Sequence, residues 1–380
     1  MSDAGDAAVE RAQLESRQKR GGQSYWALVW AQLKKNRGGM VGLAFIAMIV
    51  LTAAFAPLIA NDRPIAVRYK GSTCFPAFTT YVDVWVPWQS VRNKMKSWKV
   101  GGGFPFSDHY GILGDRTWKQ ALDEDAANVS WSVSPPVPWH PTQIDKGAPK
   151  ARPSTASGHL LGTDDQGRDV LSRIVHGTVV AALVGIVAMG IATTIGIALG
   201  VSAGFLGGGV DLVLSRITEI VMCFPTFFLI ITVISFVERS IFNVMAVIGF
   251  VGWTGIFRLV RGEVLRVKTL DFVMAAKAVG VPTRRLMFRH VLPNAVAPVF
   301  VYVAFGVAGA VLTETALSFL GFGDASMPSW GEIVSQGRQY VVEGLDYLVF
   351  WPGVAIFVTL TAFNLFGQGL RDAMDPRPRR

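Results

Sequence analysis

The sequence predicts an all-α polytopic membrane protein: six transmembrane helices, a basic loop between the fourth and fifth, and a large insert between the first and second. Three observations carry that prediction. The 380-residue chain is 51% hydrophobic and only 17% charged, with a mean hydropathy of +0.38, more apolar than a soluble globular protein. Six apolar runs long enough to cross a hydrocarbon core divide it: 40–60, 178–205, 217–237, 241–257, 295–317 and 347–369. Lys and Arg are spread unevenly around these runs. Seven precede the first, eight lie between Arg258 and Arg289 and four follow Leu370, whereas the stretch from Phe319 to Asp346 holds only Arg338 against four acids. The positive-inside rule then puts both termini and the 258–294 loop in the cytoplasm, as an even number of spans requires.

The same composition excludes several kinds of chemistry. A net charge of +9 and a pI near 9.7 would suit nucleic acid, but the basic residues flank apolar spans, so membrane lipid is the expected partner and nucleic acid is not. Cys74 and Cys223 fall in a loop and in a span, with no zinc or redox spacing. Histidines 109, 140, 159, 176 and 290 form no catalytic constellation, and Gly207, Gly208 and Gly209 lack the Lys-Ser/Thr of a phosphate loop. The chain is expected to be no enzyme, to bind no cofactor or metal, and to draw its energy from another polypeptide.

Residues 1–39 read as a cytoplasmic tail without a removable signal peptide. Within it Tyr25, Trp26, Leu28, Val29 and Leu33, followed by Lys34, Lys35 and Arg37, suit either an amphipathic helix on the membrane surface or an ordinary basic flank. After the first span at 40–60, residues 61–174 form a periplasmic insert with 14 basic residues, six Trp and ten Pro, a composition for a small aromatic core held by turns. Its charge-free run 126–144 is broken by four prolines and too polar to span. Toward the second span, Gly162 and Gly167 permit tight turns, Thr163 or Asp164 can accept orphan N–H bonds, and Asp169 suits the start of a helix. Asp164, Asp165 and Asp169 lack the oxygen pattern of a calcium loop and read as a structural collar.

Residues 175–370 make the transmembrane domain, and 371–380 a cytoplasmic tail. Gly190, Gly196 and Gly200, with Ala192 and Ala198, are small residues of the kind that lets membrane helices pack closely. Two carboxylates, Glu219 and Glu314, fall inside spans, where charge is costly and suggests function. Glu314 reads either as a gate or pathway group or as a hydrogen-bonded carboxyl fixing the outer end of its helix.

The stretch 271–294, DFVMAAKAVGVPTRRLMFRHVLPN, is a basic island between apolar spans. Phe272, Ala275, Ala276 and Val279 fall on one face of a short helix whose alanines permit close approach. Gly280 ends that helix, Pro282 begins a second running to about His290, and Pro293 is expected to break it.

These residues resemble a known family. Ala275-Ala276, Gly280 and Leu292-Pro293 are similar to the "EAA…G…LP" loop of ABC-importer membrane subunits, with Met274 where Glu is frequent, and 290–294 resembles the oligopeptide/dipeptide branch. Residues 58–78 are similar to the Yej-type permeases of peptide and microcin C uptake; 159–185, 314–331 and 370–377 also resemble the peptide permeases, with Gln368 where Asp is common. The resemblance implies a non-catalytic permease subunit of a bacterial ABC importer in the inner membrane, translocating peptides, microcin-like ones included. It implies as partners a second homologous permease, two ATP-binding subunits that carry ATP and Mg, and a periplasmic peptide-binding protein. It makes 258–294 the coupling loop, with Phe272, Ala275, Ala276, Gly280, Arg284, Leu292 and Pro293 facing the ATPase. A secondary transporter, or an ABC permease for a solute such as nickel, stands as the alternative.

Overall fold

The computed structural model describes residues 25–69, 72–78, 80, 122–124, 126–324 and 327–375. The start of the N-terminal tail, the tryptophans at 85, 88, 98 and 118, His109 and the last five residues lie outside them. Helix α1, Tyr25–Leu33, precedes α2, Arg37–Ile59, whose start is capped by Asn36 accepting from the Gly39 N–H at 3.0 Å. Then come α3, Val170–Leu206; α4, Gly208–Cys223; α5, Thr226–Ile234; and α6, Ile241–Val267. The loop helix α7, Asp271–Ala278, leads to a helical stretch α8 over 283–295, and the chain ends with α9, Ala297–Phe319; α10, Trp330–Gly337; and α11, Tyr347–Met374.

Five of these helices, α2, α3, α6, α9 and α11, are long and apolar enough to cross a membrane. The predicted third span, 217–237, is not one straight helix. It divides into the ends of α4 and α5, which meet at 84°. The break is at Pro225, which lacks an N–H and disfavours the helical conformation in the residue before it; Phe224 is accordingly extended at φ −89°, ψ 132°. Helix α6 runs ten residues past its predicted end, carrying the span's register out to the loop.

The core is built on α3 against α6. Gly196, Gly200 and Gly204 recur every fourth residue, on one face of α3. A Cβ at Gly196 would stand 2.6 Å from the Ile256 Cβ, and at Gly200 or Gly204 2.9 Å from a backbone oxygen of α6. The two helices therefore approach closely, with the Ile256, Val260 and Val264 side chains of α6 set directly against the glycine face of α3. Of the small residues predicted to pack, Gly190 has nothing within 4 Å of an added Cβ and Ala198 is exposed, because both lie off the face that meets α6. Helices α2 and α11 repeat the device at Gly39 and Gly369. Outside this core, Phe45, Met48 and Phe55 of α2 and Phe350 and Phe357 of α11 are exposed, as hydrocarbon-facing side chains are.

Two further departures from the predicted fold stand out. The class is not strictly all-α: Ala66–Tyr69, Ser72–Cys74 and Val129–Val133 form a three-stranded antiparallel sheet, β1 to β3 in chain order, with β1 central. The alternating AVRY and VSWSV explain it, Val67 pointing into the core while Arg68 pairs with Trp131. Helix α1 does form, but its apolar stripe is not given to lipid alone: Val29 and Leu33 are buried against Leu370 and Ala373 of α11. Trp26 packs edge-on against Phe300, with ring centres 5.0 Å apart.

Candidate functional site

Helix α7 begins with Asp271 and carries Lys277 in its last turn, each charge at the end of the helix dipole that favours it. It stops in a complete Schellman motif. Gly280 takes φ +81°, its N–H bonds to the Lys277 oxygen at 3.0 Å, and the Val281 N–H reaches back to the Ala276 oxygen at 3.1 Å. At the loop's base, the Lys268 Nζ donates to the Gly204 oxygen at 2.8 Å, closing the carbonyl end of α3.

The inward side of the loop is fixed by apolar burial. Val273, Leu286, Val291 and Ala295 all belong to the main core. The outward side remains apolar as well as basic: Phe272 is 44% and Val279 85% exposed, beside exposed Ala275, Gly280, Arg284, Arg285 and Phe288. Of the residues predicted to contact a partner, Phe272, Ala275, Gly280 and Arg284 thus share the outer surface. Ala276 and Leu292 turn toward the core, and Pro293 lines a separate cleft with Tyr25 and Trp26.

Pro293 does not break the second loop helix. Residues Leu286–Val291 wind as a π-helix in which the Leu292 N–H donates to the Met287 oxygen five residues back. The Asn294 Nδ2 takes the His290 carbonyl at 2.7 Å, and the helix continues to Ala295 before yielding at Val296, ahead of Pro298. The wider turn accommodates the ring that an α-helix would reject.

At the opposite end of α3 lies a buried polar collar. The Asp164 carboxylate accepts from the N–H groups of Gln166 and Arg168, both at 2.9 Å, and from the side chains of Arg168 at 2.7 Å and Arg173 at 2.5 Å. Arg173, 1% exposed, reaches Glu332 of α10 at 3.7 Å, and Arg168 donates to Gln336 at 2.7 Å. Asp169 caps α3 through the Ser172 N–H at 2.7 Å and holds the His159 Nδ1 at 2.9 Å. Burial raises the Asp169 carboxyl above the ordinary carboxylate range, against the opposing pull of Ser172 and His159. Glu332 is raised for the same first reason, with Arg173 opposing. Gly162 and Gly167 take the positive φ, +80° and +86°, that their turns require. Asp164 and Asp169 are thus spent on arginine and histidine, a structural use, while Asp165 accepts from the Tyr340 hydroxyl at 3.3 Å and keeps its other oxygen buried without a partner.

Glu314 is 2% exposed and accepts from the Ser318 hydroxyl at 2.6 Å one turn along α9. Beside it, α10 approaches so closely that a Cβ on Gly331 would stand 2.1 Å from the Thr315 oxygen. Sequence reasoning missed the partnership of His159 with Asp145, 3.4 Å from Nε2, and the stacking of Trp139 on His159 at 4.3 Å. Neither contact has a local sequence signal.

Two family models match the chain: "Binding-protein-dependent transport system inner membrane component" over 196–380, and "N-terminal TM domain of oligopeptide transport permease C" over 24–70. Among curated relatives, the inner membrane ABC transporter permease protein YejE of Escherichia coli K12 is 33% identical over 91% of this chain and 96% of its own length. A dipeptide transport system permease protein, DppC of Alkalihalophilus pseudofirmus, is 40% identical over 58% of this chain and 72% of its own. A peptidoglycan transport system permease protein, YejE of Agrobacterium fabrum, is 28% identical over 92% of both. With five membrane-length apolar helices among the described residues, the bent α4–α5 pair and the loop between α6 and α9 on one scaffold, this membrane protein belongs to the family of binding-protein-dependent inner-membrane ABC transporter permeases.

Proposed function

We propose that the chain is one of two homologous permease subunits of a bacterial inner-membrane ABC importer for peptides. Both termini and the 258–294 loop face the cytoplasm, and the 61–174 insert faces the periplasm. Two partner subunits carry ATP and Mg and hydrolyse the nucleotide, while a periplasmic peptide-binding protein delivers cargo. The chain itself is non-catalytic, and its movement is a rocking of helices driven through the loop.

The observation that carries this reading is the outer surface of α7. An apolar, basic face built from Phe272, Ala275, Val279 and Arg284, ended by a Schellman stop and anchored from behind by Val273, is exposed and uncovered among the described residues. Such a face fits the cleft of an ATPase, with Ala276, Leu292 and Pro293 supporting it from the side. The names borne by the relatives favour peptides over nickel and make microcin-like and cell-wall-derived peptides the cargo to test first. Glu314 is assigned the structural role, since its carboxyl is enclosed with Ser318. The insert packs on the permease body: the Val137 N–H bonds to the Ile59 oxygen, and the Asn61 N–H to the Val137 oxygen, both at 3.0 Å.

Purification of the chain with the subunits encoded beside it, reconstituted in vesicles with the binding protein, tests the reading: ATP-dependent peptide uptake is expected. Uptake that persists without ATPase subunits, driven by an ion gradient, would overturn it. Topology has its own test. A cysteine placed at Ser157 should react with an impermeant thiol reagent from outside, and one placed at Thr283 should not; the reverse pattern would invert every loop.

A further inference from the structure

The two carboxylates that the sequence places inside spans meet opposite fates. Glu314 is enclosed; Glu219 is 60% exposed by its side chain and lines an open cavity of about 650 Å³ between α4 and α6, beside the 84° break. Ser215, Thr218, Met222, Arg258 and Arg261 share its walls. A volume of this size falls in the range of small-ligand sites.

The charged groups of the cavity differ in what they are already committed to. Arg261 is spent: its Nε and Nη2 grip both oxygens of Asp211 at 2.5 and 2.8 Å. Glu219 is held by Arg216 at 2.6 Å, one turn back on the same helix. The hydroxyls of Ser215 and Thr218 donate to Asp211 and to the Leu214 oxygen, so toward the cavity they offer only lone pairs. Arg258 differs from all of them. Among the described residues no carboxylate pairs with it, and its Nη1 rests 3.8 Å from the Met222 sulfur, a weak acceptor. It lies 17 residues into α6, about 26 Å along the helix, near the loop-bearing end of the hydrocarbon. The side chain faces the open cavity rather than protein, so its charge is available to a ligand.

We infer that Arg258 is a transit site for the carboxylate end of the peptide as it passes between α4 and α6. The guanidinium offers a planar pair of donors matched to a carboxylate, the one group that every unmodified linear peptide carries at its C-terminus. The opposite wall, with the Glu219 carboxylate and the two hydroxyl oxygens, accepts from backbone N–H groups of the same peptide. Because the cavity is open to water, the pairing is weak, and a transit site must release what it binds. This inference rests on the peptide-importer reading and adds a position and a chemical group to it.

The test compares wild type with Arg258→Met and Arg258→Lys in the complete transporter in vesicles, with its own binding protein. Uptake is measured for a peptide with a free C-terminal carboxylate and for its C-terminally amidated form, the pair chosen so that wild type imports both. Each variant is scored as a ratio to wild type for the same peptide, which cancels the preference of the binding protein. Arg258→Met is expected to slow the free-carboxylate peptide roughly tenfold while leaving the amidated one within about twofold, and Arg258→Lys to keep most of the wild-type rate. Equal loss for both peptides, or no loss for either, would overturn the site while leaving a peptide importer. Failure of Arg258→Met to copurify with the second permease would do the same, by making Arg258 an interface residue. A wild-type complex that imports no peptide of any kind would overturn the importer reading along with the site.

Discussion

The collar and the loop, at opposite ends of the same helical core, break opposite rules. The collar buries charge: Arg173, Asp164 and Asp169 are each no more than 2% exposed. The loop exposes apolar surface, with Phe272, Val279 and Phe288 all turned outward. In the collar Arg173, Asp164 and Asp169 each find a charged or hydrogen-bonding counterpart within the chain. Among the described residues the loop has internal partners only for its inner face, and its outer face is the one proposed above to meet the ATPase. Buried charge at the collar therefore serves structure, and exposed apolar surface on the loop, away from the apolar helices, is what the proposed contact draws on.

The largest expected effect falls on the collar. Arg173→Met leaves Glu332 without its cation and removes one of two guanidinium partners of Asp164, and should lower stability by about 3–5 kcal/mol. Thermal unfolding of the purified complex in detergent measures it, and a loss under about 1 kcal/mol would show the collar to be dispensable. On the loop, Gly280→Asp should strain the turn by about 1–2 kcal/mol, because an L side chain is disfavoured at φ +81° even with no atom within 4 Å of its Cβ, while leaving the apolar helices folded; coupled uptake should fall by about tenfold. Gly280→Asn sharpens the point: asparagine tolerates positive φ without adding charge, so uptake should be largely retained. If both variants fail alike, the turn geometry matters and the charge of the surface does not.

A smaller effect concerns pH at the outer face. The folded Glu332 carboxyl titrates above its ordinary value of 4.5, so the stability it contributes is fully present below 4.5 and is lost as pH rises through the raised value. Glu332→Gln should flatten that part of the profile, read as melting temperature against pH from 4 upward. An unchanged profile would assign the dependence to another group, Asp169 being the next candidate because its carboxyl is raised in the same direction.

What could be read from the sequence was whatever is local and periodic. The apolar runs marked the spans because hydrocarbon tolerates little else, and Gly162, Gly167 and Gly280 marked their turns because only glycine takes those φ values cheaply. Asp169 was legible as a helix start for the same local reason. The break at Pro225 was visible as a residue but not as a bend, since membrane helices often absorb a proline. The glycines were half legible. Their spacing of four, at 196, 200 and 204, carries the signal, and Gly190 lies off that period. The π-turn at Leu286–Val291 and the grip of Asp145 on His159 depend on hydrogen-bond register and on distant chain, neither of which composition records.

The seam of Gly196, Gly200 and Gly204 has a mechanical meaning as well as an adhesive one. Side chains between two helices act as a compliant layer: they change rotamer, and one helix slides while the other stays. Where α3 offers only glycine along this seam over eight residues, about 12 Å, that layer is reduced to the short β-branched side chains Ile256, Val260 and Val264 seated on its backbone, and shear has little to act through. Helices α3 and α6 then behave as one stiff strut. The loop hangs from the end of α6, with Lys268 bolted to the end of α3, and the far end of α3 is set in the collar. On the coupling role proposed above, this strut is the route by which a displacement at Val273 would reach Asp169 at the far end of α3.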